Sequence, residues 1–161
     1  MKGSVEDMIT VGMIFLVTAI LLVFIGFIWQ PLYAKLMAGP IGSGQSGEAV
    51  AKANEAFSLF DKALVFVQIV LLISLLVSVF YIDTNPAFFF ISLIFLSISI
   101  FISAIYSDIW SKFISFTPIN QTVQSLFPLT NFIFGNYVAI ITIAFFAFLI
   151  LLYAKGGGER V

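Results

Sequence analysis

The chain has 161 residues, of which 61% are hydrophobic and 9% are charged, and its formal net charge is −1. Ordinary soluble domains carry about 25% charged residues, so this chain lacks the polar groups that a water-facing surface requires. It has no cysteine and no histidine, which excludes disulfides, thiolate metal sites and histidine-ligated haem. The nearly balanced charge argues against an electrostatic interface with nucleic acid.

The apolar stretches predict the fold class. A bilayer core of about 30 Å needs about 20 consecutive apolar residues per helix. Four stretches qualify, so we predict an all-α integral membrane protein with four transmembrane helices in a single domain, residues 1–161. The predicted spans are 8–29, 63–82, 86–106 and 131–154.

The first span carries a stripe of small residues. Gly12, Ala19 and Gly26 recur every seven residues, so they share one helix face on which another helix can approach closely. A secretory signal peptide is the competing interpretation. The apolar run exceeds the h-region of about 7–15 residues that a signal peptide contains, so we expect a retained span.

The second span is predicted to extend beyond the membrane. Residues 36–47 are rich in Gly and Ser and predict a flexible loop. Residues 48–62 then form an amphipathic pattern with an apolar side that includes Phe57 and Phe60. Because nothing breaks this helix before residue 63, we predict an extension that is either solvated or a docking surface for a partner or a neighbouring copy. Phe57 and Phe60 are the predicted partner contacts, and we expect them to be buried against protein, from this chain or a neighbour.

The remaining connections are predicted from turn residues. Asp83, Thr84 and Asn85 precede Pro86, which favours a tight turn at the membrane surface followed by a capped helix. Residues 115–130 contain two prolines and no charge and predict an interfacial loop. Residues 155–161 predict a short flexible tail.

An even number of spans puts both termini on the same side of the membrane. Lysine and arginine are divided almost evenly between the two sides, so charge does not decide the orientation. Tryptophan and tyrosine favour the two interfaces, and most of them agree with four spans, although Tyr137 lies inside the fourth. The expected anchors are Trp29, Tyr33, Tyr106 and Trp110 at one surface and Tyr81 and Tyr153 at the other.

The predicted spans carry no ionisable side chain in their middle. Proton relays, coupled transport and intramembrane proteolysis need such groups. The stretch GPIGSGQSG, residues 39–47, lacks the lysine and the preceding strand of a phosphate-binding loop. We therefore expect no enzymatic activity, no cofactor and no metal site.

Weakly polar and small residues remain inside the spans. Three roles are possible for these residues: internal packing of the four helices, a polar lining for a pore, or an interface between subunits. Gln68 and Asn136 are predicted to be buried amides that could bridge the second and fourth spans. The other candidates for helix packing are Ser99, Ser103, Gly135 and Ala139.

The stretch LFPLTNFIFGNYVAIITIAFFAFLILLYAK, residues 126–155, resembles the last span of small multi-spanning membrane proteins of archaeal viruses and of phages with an internal membrane. Three features carry this resemblance: the Phe-Pro pair near the start of the stretch, Asn136 within it, and the Tyr-x-Lys sequence at its end. It implies a structural protein that packs in the viral membrane and links it to the shell.

These observations favour a non-enzymatic structural or accessory subunit of a larger membrane assembly, in a cell membrane or a virion membrane. Its expected partners are lipids and other membrane subunits or copies of itself. The alternative is a pore-forming protein, such as a holin-like protein or a small channel.

Overall fold

The computed structural model describes the backbone of residues 5–81 and 86–158 and the side chains of residues 10–81 and 90–155. This part of the chain is helical and contains no strand. The helices are α1 (Val5–Ala38), α2 (Gly44–Ser78), α3 (Pro86–Ile114), α4 (Thr117–Leu126), α5 (Pro128–Gly135) and α6 (Tyr137–Gly158), with short 3-10 helices at Pro40–Gly42 and Val79–Tyr81.

Four of these helices are long and apolar enough to cross a membrane. Their spanning segments are Thr10–Ala38, Gly44–Tyr81, Phe90–Ile114 and Tyr137–Lys155. The predicted all-α class with an extended second helix is therefore confirmed. The predicted turn at residues 83–85 and the last part of the predicted tail, residues 159–161, lie outside the described residues.

The connection between α1 and α2 is tighter than the flexible loop predicted for residues 36–47. A Cβ atom added to Gly42 would overlap the backbone of Met37, and one added to Gly47 would overlap the carbonyl of Gly42. Gly44 has a positive φ of 72°, a conformation that favours glycine. The glycines of this segment therefore permit close backbone contact, which the composition alone does not distinguish from flexibility.

Residues 115–130 do not form the predicted interfacial loop. Pro118 lies in the first turn of α4 and Pro128 in the first turn of α5. Proline is tolerated at that position because its missing N–H would have no intrahelical partner there. The same prolines that suggest a loop therefore begin two helices, and α5 also takes up residues 131–135 of the predicted fourth span.

The long helices are staggered along the bundle. A Cβ atom on Gly12 of α1 would lie 2.8 Å from the Tyr106 ring of α3. Farther along, Phe134 stacks on both Phe15 and Trp110 with ring centroids 5.4 and 4.8 Å apart. Tyr106 and Trp110, near the end of α3, therefore lie beside the first half of α1.

Two of the six predicted aromatic anchors lie inside the protein. Tyr106 and Trp110 are buried in the core, at 7% and 0% exposure. Trp29 lies about 25 Å beyond the level of Gly12 and Tyr106, at about 1.5 Å per helical residue. Trp29 and Tyr106 therefore lie at different levels of the bundle, and Tyr106 and Trp110 pack between helices.

Candidate functional site

The most elaborate polar arrangement in the described structure is centred on Asp61 of α2. This side chain is 2% exposed. One carboxylate oxygen accepts hydrogen bonds from the backbone N–H and the hydroxyl of Thr130, at 2.8 and 2.6 Å. The other accepts the backbone N–H of Leu129 at 3.0 Å. Asp61 thus binds the first turn of α5 from a neighbouring helix.

This arrangement compensates for a missing local cap. The residue before α5 is Phe127, which makes no capping hydrogen bond with its side chain. The first N–H groups of a helix lack intrahelical partners and carry a partial positive charge, which a carboxylate satisfies well. Asp61 therefore has the chemistry of a helix cap that joins two distant segments, and all its contacts belong to the fold.

Sequence reasoning missed this role because residues 48–62 were interpreted as an amphipathic extension in which Asp61 was given no role. The helical pattern contained a usable signal, because Asp61 lies four residues after Phe57 and therefore on the same face. An isolated acid on the apolar face of an amphipathic helix indicates a buried partner, since burying a carboxylate without hydrogen bonds is costly.

Two tryptophans add directional contacts around this centre. The indole N–H of Trp110 donates to the Asn131 side-chain oxygen at 3.0 Å, which ties α3 to α5. The indole N–H of Trp29 donates to the Asn54 side-chain oxygen at 3.2 Å, which ties α1 to α2. These bonds connect helices that the hydrophobic effect alone would leave free to slide.

Phe57 and Phe60, the predicted partner contacts, have different surroundings. Phe57 is 8% exposed and its ring lies 6.1 Å from the rings of both Trp29 and Phe127. It is therefore buried within this chain. Phe60 is 49% exposed and points away from that cluster, together with its neighbour Leu59 at 64%.

The small-residue stripe of α1 lies against other helices. A Cβ atom on Gly26 would lie 2.9 Å from the Phe127 ring and 3.2 Å from Leu126. Ala19 is fully buried. Together with the contact between Gly12 and Tyr106, these positions place the stripe at the interface of α1 with α3, with α4 and with Phe127 at the α4–α5 junction.

The pair Gly135 and Ala139 lies on the outside instead. Both residues are exposed, and a Cβ atom on Gly135 would meet no atom within 4 Å. The prediction that Asn136 is buried is wrong, because this residue is exposed. Its side-chain amide donates to the carbonyl of Phe132, four residues earlier, at 2.9 Å. The break between α5 and α6 turns these residues outward, so this pair does not pack within the chain.

The remaining polar candidates are internal. Gln68 is 5% exposed and makes a side-chain hydrogen bond with Tyr137, so it bridges α2 and α6 through a residue other than Asn136. Ser103 is 2% exposed and its hydroxyl donates to the Ile100 carbonyl of the same helix at 2.8 Å. Ser99 is half-buried on the same helix.

An open cavity of about 430 Å³ lies between α1 and α4. Across it the Gln30 amide donates to the Ser125 hydroxyl at 3.2 Å. Gln30, which lines the cavity, is the neighbour of Trp29 in the sequence of α1. The seven residues that line it carry no charge; they are Phe27, Gln30, Pro31, Pro118, Gln121, Thr122 and Ser125.

Among the described residues, no three acidic side chains lie together where they could hold a metal ion. Comparisons of the chain with known protein families, with curated proteins and with solved structures found no match.

Proposed function

We propose that this protein is a non-enzymatic structural or accessory subunit of a larger membrane assembly. The observation that carries the proposal is a mismatch between two neighbouring faces at one level of the bundle. The contacts of Trp29 with Asn54 and Phe57 fix that level, because they place the second half of α1 beside the first half of α2.

The two faces at this level call for different surroundings. On α1, Phe24, Ile25 and Ile28 are between 46% and 65% exposed. On α2, Lys52 and Glu55 are exposed. Lipid at this level would cover the apolar face of α1 but would remove the charges of α2 from water. Water at this level would solvate the charges of α2 but would leave the apolar side chains of α1 exposed to water. A protein surface that is itself apolar and polar in adjacent patches suits both.

The interior supports this proposal over a pore formed by one copy of the chain. Trp110, Phe127 and Phe134 are fully buried between the helices at the level of Asp61. Large aromatic side chains at this position fill the space that a continuous water path would need. On the basis of the resemblance of residues 126–155, we extend the proposal to the membrane of a virion.

Site-specific photocross-linking tests the proposal. A photoreactive phenylalanine analogue at position 28 or 60 should form adducts with another protein chain in native membranes. The matched control is position 101, because Phe101 is 69% exposed on α3 at the apolar end of the bundle and should form lipid adducts. Only lipid adducts at positions 28 and 60, together with ion flux through the purified protein in liposomes, would favour the pore.

We also propose that both termini lie on the same side of the membrane. Single cysteines at Ser4 and Gly157 should react with an impermeant thiol reagent from one side, and a cysteine at Ser43 from the other. The absence of natural cysteine makes each label specific. Labelling of positions 4 and 157 from opposite sides would contradict four spans.

A further inference from the structure

We propose that the cavity between α1 and α4 binds an uncharged polyhydroxyl group, such as the sugar headgroup of a glycolipid. The proposal does not depend on the assembly role proposed above. It rests on the position of the cavity, on the absence of charge among its lining residues, and on the hydrogen-bonding groups that these residues leave available. Its volume of about 430 Å³ falls within the range of about 300–1,000 Å³ of small-molecule sites.

Most of the hydroxyl protons in the cavity are already committed. Thr122 donates its hydroxyl to the Pro118 carbonyl at 3.2 Å, and Ser125 donates to the Thr122 carbonyl at 3.1 Å. The Gln30 amide nitrogen donates one of its two N–H groups to the Ser125 hydroxyl, which leaves the second N–H as a donor and the amide oxygen as an acceptor. The exposed Gln121 supplies one more amide with a donor and an acceptor.

A proline adds a further acceptor. Pro31 lies inside α1 and has no backbone N–H, so the Phe27 carbonyl four residues earlier loses its usual helical partner. Phe27 and Pro31 both line the cavity, so this carbonyl lies on the helix face that the cavity exposes. The lining therefore offers acceptors at Gln30, Gln121 and Phe27 and donors at the two amides, which favours a ligand whose groups both donate and accept, as hydroxyls do.

This chemistry selects among membrane headgroups. Phosphate-containing headgroups are usually held by Lys, Arg or several backbone N–H groups, and no lysine or arginine lines the cavity. A sugar offers hydroxyls that donate to carbonyl oxygens and accept from an amide, with no charge to neutralise. The neighbouring Trp29 is the residue type that favours the membrane–water interface, where a lipid headgroup would lie.

Native mass spectrometry of the full chain in phosphatidylcholine nanodiscs tests the proposal. The probes are diglucosyl diacylglycerol, phosphatidylglycerol as the anionic comparison, and free maltose as a competitor. We expect the glycolipid to be retained in preference to phosphatidylglycerol. Competition by maltose would show that the sugar alone suffices, and its failure to compete would show that the lipid tail is also needed; either result supports the binding chemistry.

Two variants separate binding from folding. Gln121→Leu should weaken glycolipid binding about thirtyfold, since two hydrogen bonds are lost, each contributing about 1 kcal/mol. Gln124→Leu is the matched control, because Gln124 is exposed on the same helix but does not line the cavity. Pro31→Ala restores a donor to the Phe27 carbonyl and should weaken binding about fivefold without destabilising α1.

The proposal would be overturned by equal retention of phosphatidylglycerol and the glycolipid. It would also be overturned by unchanged glycolipid affinity in both Gln121→Leu and Pro31→Ala. Because Gln121 is exposed, we expect Gln121→Leu and Gln124→Leu to unfold at the same temperature, so a loss of binding in the former reports on the site.

Discussion

The two ends of the bundle are held together in different ways. At the hydrogen-bonded end, defined here as residues 26–61 and 110–135, side chains from five helices make directed contacts across helix boundaries. At the apolar end, residues 64–81, 90–106 and 137–155, the helices meet largely through buried hydrocarbon and aromatic groups such as Leu96, Phe145 and Phe148.

This difference indicates which end specifies the arrangement of the helices. Apolar side chains in lipid gain little from association with one another, because the lipid tails are equally apolar. Close packing and hydrogen bonds must therefore determine which arrangement of the helices is the most stable. The hydrogen-bonded end supplies several such contacts, whereas the Lys155 bond to the Phe80 carbonyl and the Gln68 bond to Tyr137 contribute at the apolar end.

The largest expected effect is at Asp61. Asp61→Ala removes the acceptor for two backbone N–H groups at the start of α5, and each orphaned donor in a buried site costs about 1–3 kcal/mol. We expect a loss of about 3 kcal/mol in the free energy of unfolding, measured by denaturant titration in detergent. Glu55→Ala, on the exposed face of the same helix, should stay within about 0.5 kcal/mol.

Asp61→Asn sharpens this prediction. The amide keeps one acceptor oxygen but turns an NH₂ group toward the N–H donors, so an intermediate loss is expected. If Asp61→Ala cost less than about 1 kcal/mol, the joint between α2 and α5 would not stabilise the bundle, against our interpretation.

Much of the helical architecture is predictable from the sequence, and the reason is the length of the apolar runs. The first three long helices follow from this signal. The short helices α4 and α5 do not, because their prolines are equally typical of a loop and their stability comes from α1, α2 and α3. Their ends depend on contacts such as that of Asp61 with Thr130, which join residues far apart in the chain.

The exposure of single residues was harder to predict for a related reason. A polar amide inside an apolar run is expected to be buried against other helices, and Gln68, which is 5% exposed, follows this expectation. Asn136 does not, because the helix break beside it lets its amide bond a carbonyl within its own segment while the residue faces outward. A helical period places residues on a common face, but it does not state whether that face meets lipid or protein.

The next largest effect is expected for the stripe on α1. Gly26→Leu would place a side chain against Phe127, which is fully buried and has little room to move. Overpacking of this kind costs about 1–3 kcal/mol. Gly135→Leu is the matched control, because no atom lies within 4 Å of its added Cβ.

Thermal unfolding followed by circular dichroism compares these two glycine variants directly. Equal unfolding temperatures for Gly26→Leu and the native protein would show that α1 does not pack against Phe127. A large destabilisation by Gly135→Leu would show that this outward face contacts protein, for example a second copy of the chain.

A smaller effect is expected at Trp110. Trp110→Phe keeps an aromatic ring against Phe134 but removes the hydrogen bond to Asn131, so we expect a loss of about 1–2 kcal/mol. A double-mutant cycle with Asn131→Ala isolates this bond, and its coupling free energy should be close to 1 kcal/mol. A coupling free energy near zero would mean that packing alone holds α3 against α5.

The smallest effect is expected at Ser103, at the apolar end. Its hydroxyl donates to the carbonyl of Ile100 in its own helix, so it forms no bond between helices. Such a bond adds little to a helix whose carbonyls already have backbone partners. Ser103→Ala removes one small buried atom, and we expect less than about 0.5 kcal/mol of change in the free energy of unfolding. The denaturant titration used for Trp110→Phe provides the comparison, since both residues are buried on α3. A loss above about 1 kcal/mol would show that Ser103 contributes to the specificity of helix packing, and that the apolar end is not held by apolar contacts alone.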